Sequence, residues 1–129
     1  MQSSLTQMLP GVTKVFTKDG EMSLEEALTG VEFVGIYFSA HWCPPCRGFT
    51  PVLSQFYEEV NKNGKVFEVI FITSDRDEAS FKEYFSLMPW KAAPFDVERN
   101  TIKKKHGVKG IPMLPVFKAN GTKIVDNAR

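Results

Sequence analysis

The chain has 129 residues, enough for one domain, with 43% apolar residues, 24% charged residues and a formal net charge of +1. That balance gives no electrostatic argument for nucleic acid or an anionic membrane as partner, and no run approaches the ~18 consecutive apolar residues of a membrane span. Its two cysteines, Cys43 and Cys46, close almost no loop and make a poor structural staple.

The N-terminus, Met1 to Thr6, lacks both the basic n-region and the apolar h-region of a secretory signal. A cytoplasmic setting is the default expectation, with nucleus and mitochondrion left open. Leu9-Pro10-Gly11 breaks the chain after a short helical or irregular start. Val12 to Thr17 reads as a strand that turns at Lys18-Asp19-Gly20. Ser23-Leu24-Glu25-Glu26 matches a capping box and predicts a short helix to about Leu28, ended by Gly30. Val31 to Ala40 and Phe67 to Thr73 carry apolar residues on both parities, as central strands do. Between them, Phe49, Val52, Leu53, Phe56, Tyr57 and Val60 recur at helical spacing from Pro45 to about Lys62. Strand, helix and strand together imply a parallel pair.

Asp75 or Asp77 can cap the next helix, through about Leu87, which Met88-Pro89-Trp90 stops. A brief extended piece is expected at Phe95, and a helix from Val97 to His106 closed by Gly107. Met113 to Lys118 reads as a strand. Asn120-Gly121 is a hairpin signal, and Lys123 to Asp126 is the returning strand. The fold class is α/β: a central mixed sheet flanked by helices, in a single domain spanning 1–129.

The chemistry sits in Trp42-Cys43-Pro44-Pro45-Cys46-Arg47. Cys43 follows an apolar strand and opens a helix, where unpaired N–H groups and the helix dipole favour a thiolate, the nucleophilic form. Cys46 lies one turn further on the same face. The two sulfurs can therefore join and separate with little backbone movement. Pro44 and Pro45 fall at the first helical positions, whose N–H groups have no intrahelical partner. Their loss leaves the Cys46 amide as the nearest donor for the Cys43 sulfur. Arg47 adds a cation near the site, and Trp42 a flat apolar surface. A zinc site would need two further ligands, for which only His41 and His106 are available, so redox work is the leading use of the pair. In this scheme Cys43 attacks a substrate disulfide and Cys46 resolves the mixed disulfide. Ile111-Pro112, just before a strand, has two readings: a cis bond packed against the cysteines that offers Ile111 backbone groups to substrate, or an ordinary trans proline.

The segment Trp42 to Pro51 resembles the tryparedoxin and nucleoredoxin branch of the thioredoxin superfamily. Tyr37-Phe38-Ser39-Ala40, Phe56-Tyr57, Phe85 to Trp90 with Pro94-Phe95, and Gly110-Ile111-Pro112 extend the likeness. Leu9-Pro10-Gly11 looks more like tryparedoxin. Ser74-Asp75-Arg76 with Ser80-Phe81-Lys82 looks more like nucleoredoxin. The resemblance implies a thioredoxin-like fold, here with an N-terminal hairpin extension, an attacking Cys43, a resolving Cys46 and a cis bond before Pro112. It also implies a protein-disulfide reductase whose only redox group is the Cys43–Cys46 disulfide, with no bound metal or nucleotide. Electrons would come from an external dithiol system (trypanothione, glutathione or thioredoxin reductase) and pass to disulfide proteins such as peroxidases. The alternative is a binding module that holds partners on its Trp42 and Ile111 surface, with the cysteines as a switch.

Four departures from the family pattern stand out. Tyr37 occupies the position where thioredoxin itself has a buried acid, leaving Asp75 as the candidate proton acceptor, or merely a helix cap. His41 precedes the motif where a small residue is usual, either tuning the thiolate or facing water. Pro115 interrupts a strand. The sequence stops at Arg129, straight after the hairpin, so the last helix of the fold is expected to be lacking and one sheet face bare.

Overall fold

The hydroxyl of Ser23 accepts the Glu26 N–H at 3.0 Å, so the capping box forms as the sequence predicts. It starts the one-turn helix α1 (Leu24–Ala27) directly after an antiparallel hairpin of β1 (Lys14–Thr17) and β2 (Gly20–Ser23). Gly30, at φ 79°, then turns the chain into the sheet, a conformation glycine adopts without steric cost. This computed structural model describes residues 9, 12–17, 20–64, 66–75, 77–95, 99–108, 110–118 and 122–125. The expected turns at Lys18-Asp19 and Asn120-Gly121, the breaker Pro10-Gly11, the first eight residues and Asp126 to Arg129 lie outside them.

β3 (Phe33–Ser39) and β4 (Phe67–Thr73) run parallel, in register from Phe33 opposite Phe67 to Ser39 opposite Thr73. The helix α2 (Pro44–Val60) joins them. After β4 come α3 (Glu78–Phe85), the two-residue β5 (Lys91–Ala92), α4 (Arg99–Lys105), β6 (Val116–Lys118) and β7 (Lys123–Val125). The sheet order is β2-β1-β5-β4-β3-β6-β7, with β6 and β7 antiparallel. β3 is thus central, parallel to β4 on one side and antiparallel to β6 on the other.

Side chains of a strand alternate between faces, and both faces of β3 are covered. Val34, Ile36 and Phe38 pack with Ile70, Ile72 and the α4 residue Ile102. Tyr37 packs with Phe71, with Leu53 and Tyr57 of α2, and with Phe81 and Tyr84 of α3. Each such buried side chain contributes about 1.5–3 kcal/mol of transfer free energy. Gly35 lies between them because a Cβ there would come within 3.0 Å of Leu114 Cδ1 and Phe67 Cζ. Inside the sheet, the fully buried Glu68 accepts from Lys91 Nζ at 2.6 Å and from the Tyr57 hydroxyl at 2.8 Å, linking α2, β4 and β5.

Three expectations need correction. Met113 makes only an isolated bridge to Phe38, and the regular strand starts at Val116. Pro112 and Pro115 have no N–H to give the ladder. The extended piece near Phe95 is instead Lys91–Ala92; Phe95 sits in a turn, its ring 6.1 Å from Phe81. Asp77, not Asp75, caps α3, accepting the Ser80 N–H at 2.7 Å. The helix expected from Val97 to His106 is described over Arg99–Lys105, Val97 lying outside the described residues, and its end at Gly107 (φ 64°) matches the expectation. Among the described residues, Phe33, Phe49, Phe56, Leu114 and Ile124 line a groove of about 460 Å³ beside β7.

Candidate active site

Cys43 is the N-cap residue of α2, in an extended conformation at φ −93° and ψ 110°, and Pro44 and Pro45 follow at the first two helical positions. The prolines fit because these positions need no intrahelical N–H. The Cys43 N–H donates to Ala40 O at 3.2 Å, and the Cys43 carbonyl accepts the Arg47 N–H at 3.0 Å. The turn from β3 into α2 is thereby closed on both sides of the first cysteine. Both cysteines are free thiols. Cys43 is 5% exposed and Cys46 wholly buried, packed with Ala40 and against Ile111.

The Ile111–Pro112 peptide is cis, which decides between the two readings of this proline. The Cys43 Sγ points at Ile111 O from 3.9 Å, a long contact for a thiol donor. This carbonyl is the recorded partner of the sulfur, rather than the Cys46 amide. The cis-proline loop is held in place by Phe38 and Met113, whose N–H groups donate to each other's carbonyls at 2.9 and 3.1 Å. Trp42 is 54% exposed beside the cysteines, its Nε1–H donating to Ser74 O at 3.1 Å. Arg47 is exposed and lines a cleft between α2 and α3.

Asp75 is buried, and its carboxylate ties the end of β4 to the loop before Cys43. Oδ1 accepts the His41 N–H at 2.8 Å, and Oδ2 accepts the Thr73 hydroxyl at 2.7 Å. It is therefore not the cap of α3, which is Asp77. Cys43, the Ser39 hydroxyl and the Ala40 backbone act on the Cys46 thiol. His41 does not simply face water: it is half-buried, and its ring stacks on Tyr84 with centroids 5.3 Å apart.

Tyr37 takes part in a buried cluster of hydroxyls behind Cys46. Its hydroxyl shares a proton with Thr50 Oγ1 at 2.7 Å and lies 3.4 Å from Cys46 O. Thr50 donates to Cys46 O at 2.9 Å and is 2.5 Å from the Tyr84 hydroxyl, which in turn is 2.7 Å from Ser39 Oγ. Ser39, Thr50 and Tyr84 escaped the sequence reading. Ser39 shares strand parity with Tyr37, and Thr50 lies one turn beyond Cys46, so two of the three carried a positional signal. Burial pushes the Cys46 thiol up to about 11, helped by the Cys43 sulfur and opposed by Ser39 and Ala40. Burial likewise raises the Tyr37 and Tyr84 hydroxyls, which stay neutral at physiological pH.

Among the described residues no group of three or more acidic, cysteine or histidine side chains could hold a metal ion. What the arrangement can do is exchange thiols for a disulfide: one sulfur at a helix start beside a cis-proline wall, a second directly behind it.

A family model described as thioredoxin-like matches residues 30–123. Tryparedoxin of Trypanosoma brucei brucei is 45% identical over 126 residues, covering 95% of this chain and 85% of that one. Probable nucleoredoxin 1 of Arabidopsis thaliana is 47% identical over 116 residues, 89% of this chain, which spans only 20% of that longer protein. The structure of tryparedoxin II complexed with glutathionylspermidine superposes with a TM-score of 0.86 at 36% identity, covering 95% of this chain and 85% of that one. With the Cys-Pro-Pro-Cys turn and the cis-proline wall in place, these likenesses make the chain a member of the thioredoxin-like family, in the branch of the tryparedoxins and nucleoredoxins.

Proposed function

We propose that the chain is a protein-disulfide reductase that cycles between a Cys43/Cys46 dithiol and the Cys43–Cys46 disulfide. The observation that carries this reading is the asymmetry of the pair. Cys43 sits at the helix start, edged by Trp42 and the cis-proline loop, whereas Cys46 is sealed behind it. The Cys43 thiolate attacks one sulfur of a substrate disulfide and forms a mixed disulfide, and the first substrate thiolate leaves. Cys46, deprotonated, attacks the Cys43 sulfur. The substrate departs with the electron pair as its second thiolate, and two electrons have passed to it. Trp42, Ile111 and Pro112 form the wall against which the substrate segment lies, and Asp75 positions the loop through His41.

Tryparedoxins and nucleoredoxins are thioredoxin-type oxidoreductases, which supports this chemistry. The glutathionylspermidine complex of a tryparedoxin supports a small glutathione-derived dithiol, such as trypanothione, as the returning donor. Peroxidases are the class of disulfide protein we propose as electron acceptors, in a reducing intracellular compartment. The test is reduction of insulin by the wild type and by Cys43→Ser, with trypanothione, glutathione and a thioredoxin reductase system as parallel donors. Turnover with at least one donor, lost in the variant, is expected. Absence of thiol-dependent turnover with all three would overturn the enzyme reading in favour of a redox-switched binding module.

A further inference from the structure

The resolving step sets a problem that the cysteines alone do not solve. Cys46 must lose its proton before it can attack, yet it is wholly buried, and no carboxylate is among the groups acting on it. We propose that Ser39, Tyr84 and Thr50 form a hydroxyl relay that carries the Cys46 thiol proton to the cleft between α2 and α3. This rests on the reading above, in which Cys46 is the resolving thiol.

The direction of the relay follows from counting protons. Thr50 donates its single proton to Cys46 O at 2.9 Å. In the 2.5 Å pair with Tyr84, Thr50 must then accept, so Tyr84 donates. Tyr84 has no second proton for Ser39, so in their 2.7 Å pair Ser39 donates. A hydroxyl has one proton and two lone pairs, so Ser39 keeps a lone pair free, and its hydroxyl is within hydrogen-bonding reach of the Cys46 thiol. The Tyr37 hydroxyl donates to Thr50 at 2.7 Å and completes the set. No hydroxyl in the cluster therefore donates to the Cys46 sulfur while Cys46 is a thiol.

Ionisation reverses that order. Ser39 Oγ takes the Cys46 proton as it passes its own to Tyr84. Tyr84 passes its proton to Thr50, and Thr50 releases one to water. Thr50 and Tyr84 both line a cleft of about 370 Å³, along with Arg47, Ser54, Glu58 and Leu87, so the relay ends where solvent begins. Afterwards Ser39 donates to the Cys46 thiolate, Tyr84 to Ser39 and Thr50 to Tyr84. Tyr37, 3.4 Å from Cys46 O, takes over the donation that Thr50 has given up. The same hydroxyls thus satisfy both states of Cys46, and one proton has left the site. The thiolate then attacks the Cys43 sulfur, and the leaving thiolate takes the electron pair of the broken bond.

The two thiol steps separate with 5,5′-dithiobis(2-nitrobenzoate) as the disulfide. Cys43 attack releases one coloured thiolate and Cys46 attack the second, and stopped flow resolves the two phases. Ser39→Ala and Tyr84→Phe are expected to keep the first phase and slow the second about tenfold or more at pH 7, within the range of lost general-base assistance. The deficit should shrink as pH rises, because hydroxide replaces the relay. In wild type, the second phase should show a solvent deuterium effect with a curved proton inventory. Equal slowing of both phases would mean a structural effect and overturn the relay. So would second phases at the wild-type rate in both variants, or a linear proton inventory. If Tyr84→Phe fails to fold by circular dichroism, Ser39→Ala and the inventory on wild type decide. Cys46→Ser must show the first phase alone; a first phase lost in Cys46→Ser and kept in Cys43→Ser would remove the reading on which the relay stands.

Discussion

Replacing Cys43 with Ser leaves Cys46 as the only thiol, and its reactivity tests how closed the site is. Burial, the first cause of its raised titration, survives the substitution, while the contribution from the Cys43 sulfur disappears. With both cysteines present the thiol lies near 11 and about 0.1% of Cys46 is thiolate at pH 8; in the variant, without the Cys43 contribution, the fraction is larger but still held down by burial. An ordinary cysteine with a pKa of about 8.5 is about one quarter thiolate at that pH. On thiolate fraction alone iodoacetamide should therefore modify Cys46 up to about two-hundred-fold more slowly than an unfolded control, and burial of the sulfur slows it further. The rate should climb about tenfold per pH unit between pH 8 and 10, the slope of a thiol titrating above that window. Mass spectrometry of quenched samples, with the same variant in guanidinium as control, gives both rates. Modification at pH 8 within a few-fold of the control, or a plateau below pH 9, would refute the argument. The same shift has a thermodynamic side. Between pH 9 and 11 the unfolded dithiol binds fewer protons than the folded one, so stability falls as pH rises through that range.

Lys91→Met should strip the buried Glu68 carboxylate of its ammonium partner, at a cost of about 3 kcal/mol; a urea midpoint within error of wild type would contradict this. Gly35→Ala places a methyl 3.0 Å from Leu114 and Phe67, and overpacking of this kind costs about 1–3 kcal/mol, measurable as a lowered Tm. Trp42→Ala should lower insulin reduction several-fold while moving the Tm little, because the ring is mostly exposed, with its Nε1–H bonded to Ser74 O. Equal losses in Tm and activity would assign Trp42 a packing role instead.

The elements that the sequence made legible are those with strong local signals. Phe67–Thr73 is a strand over the span its apolar run suggested, and the Ser23 cap and Gly107 stop fall where their residue types predict. Met113 to Lys118 misled because β-rich composition masked two prolines that forfeit ladder donors. Asp75 was ambiguous because a carboxylate near a helix start reads as a cap, and only the three-dimensional position of His41 shows where it bonds. The cysteine pair was legible from spacing. The cis bond before Pro112 followed from the family resemblance, since spacing alone left it undecided. The hydroxyl cluster was not legible, since Ser39, Thr50 and Tyr84 come from a strand and two helices separated by up to 45 positions. Short polar residues meeting across such distances leave no periodic trace in one sequence.

The bridge between Phe38 and Met113 has a consequence for the width of the site. The Cys43 turn leaves the end of β3 through Ala40, and the cis-proline loop is fastened to β3 at Phe38, two residues earlier. The two jaws proposed to hold a substrate segment are thus mounted on one beam. When the helices or the outer strands breathe, both jaws ride together and the gap between them keeps its gauge. The chain can tolerate a loose periphery and still present the same opening to every disulfide that arrives.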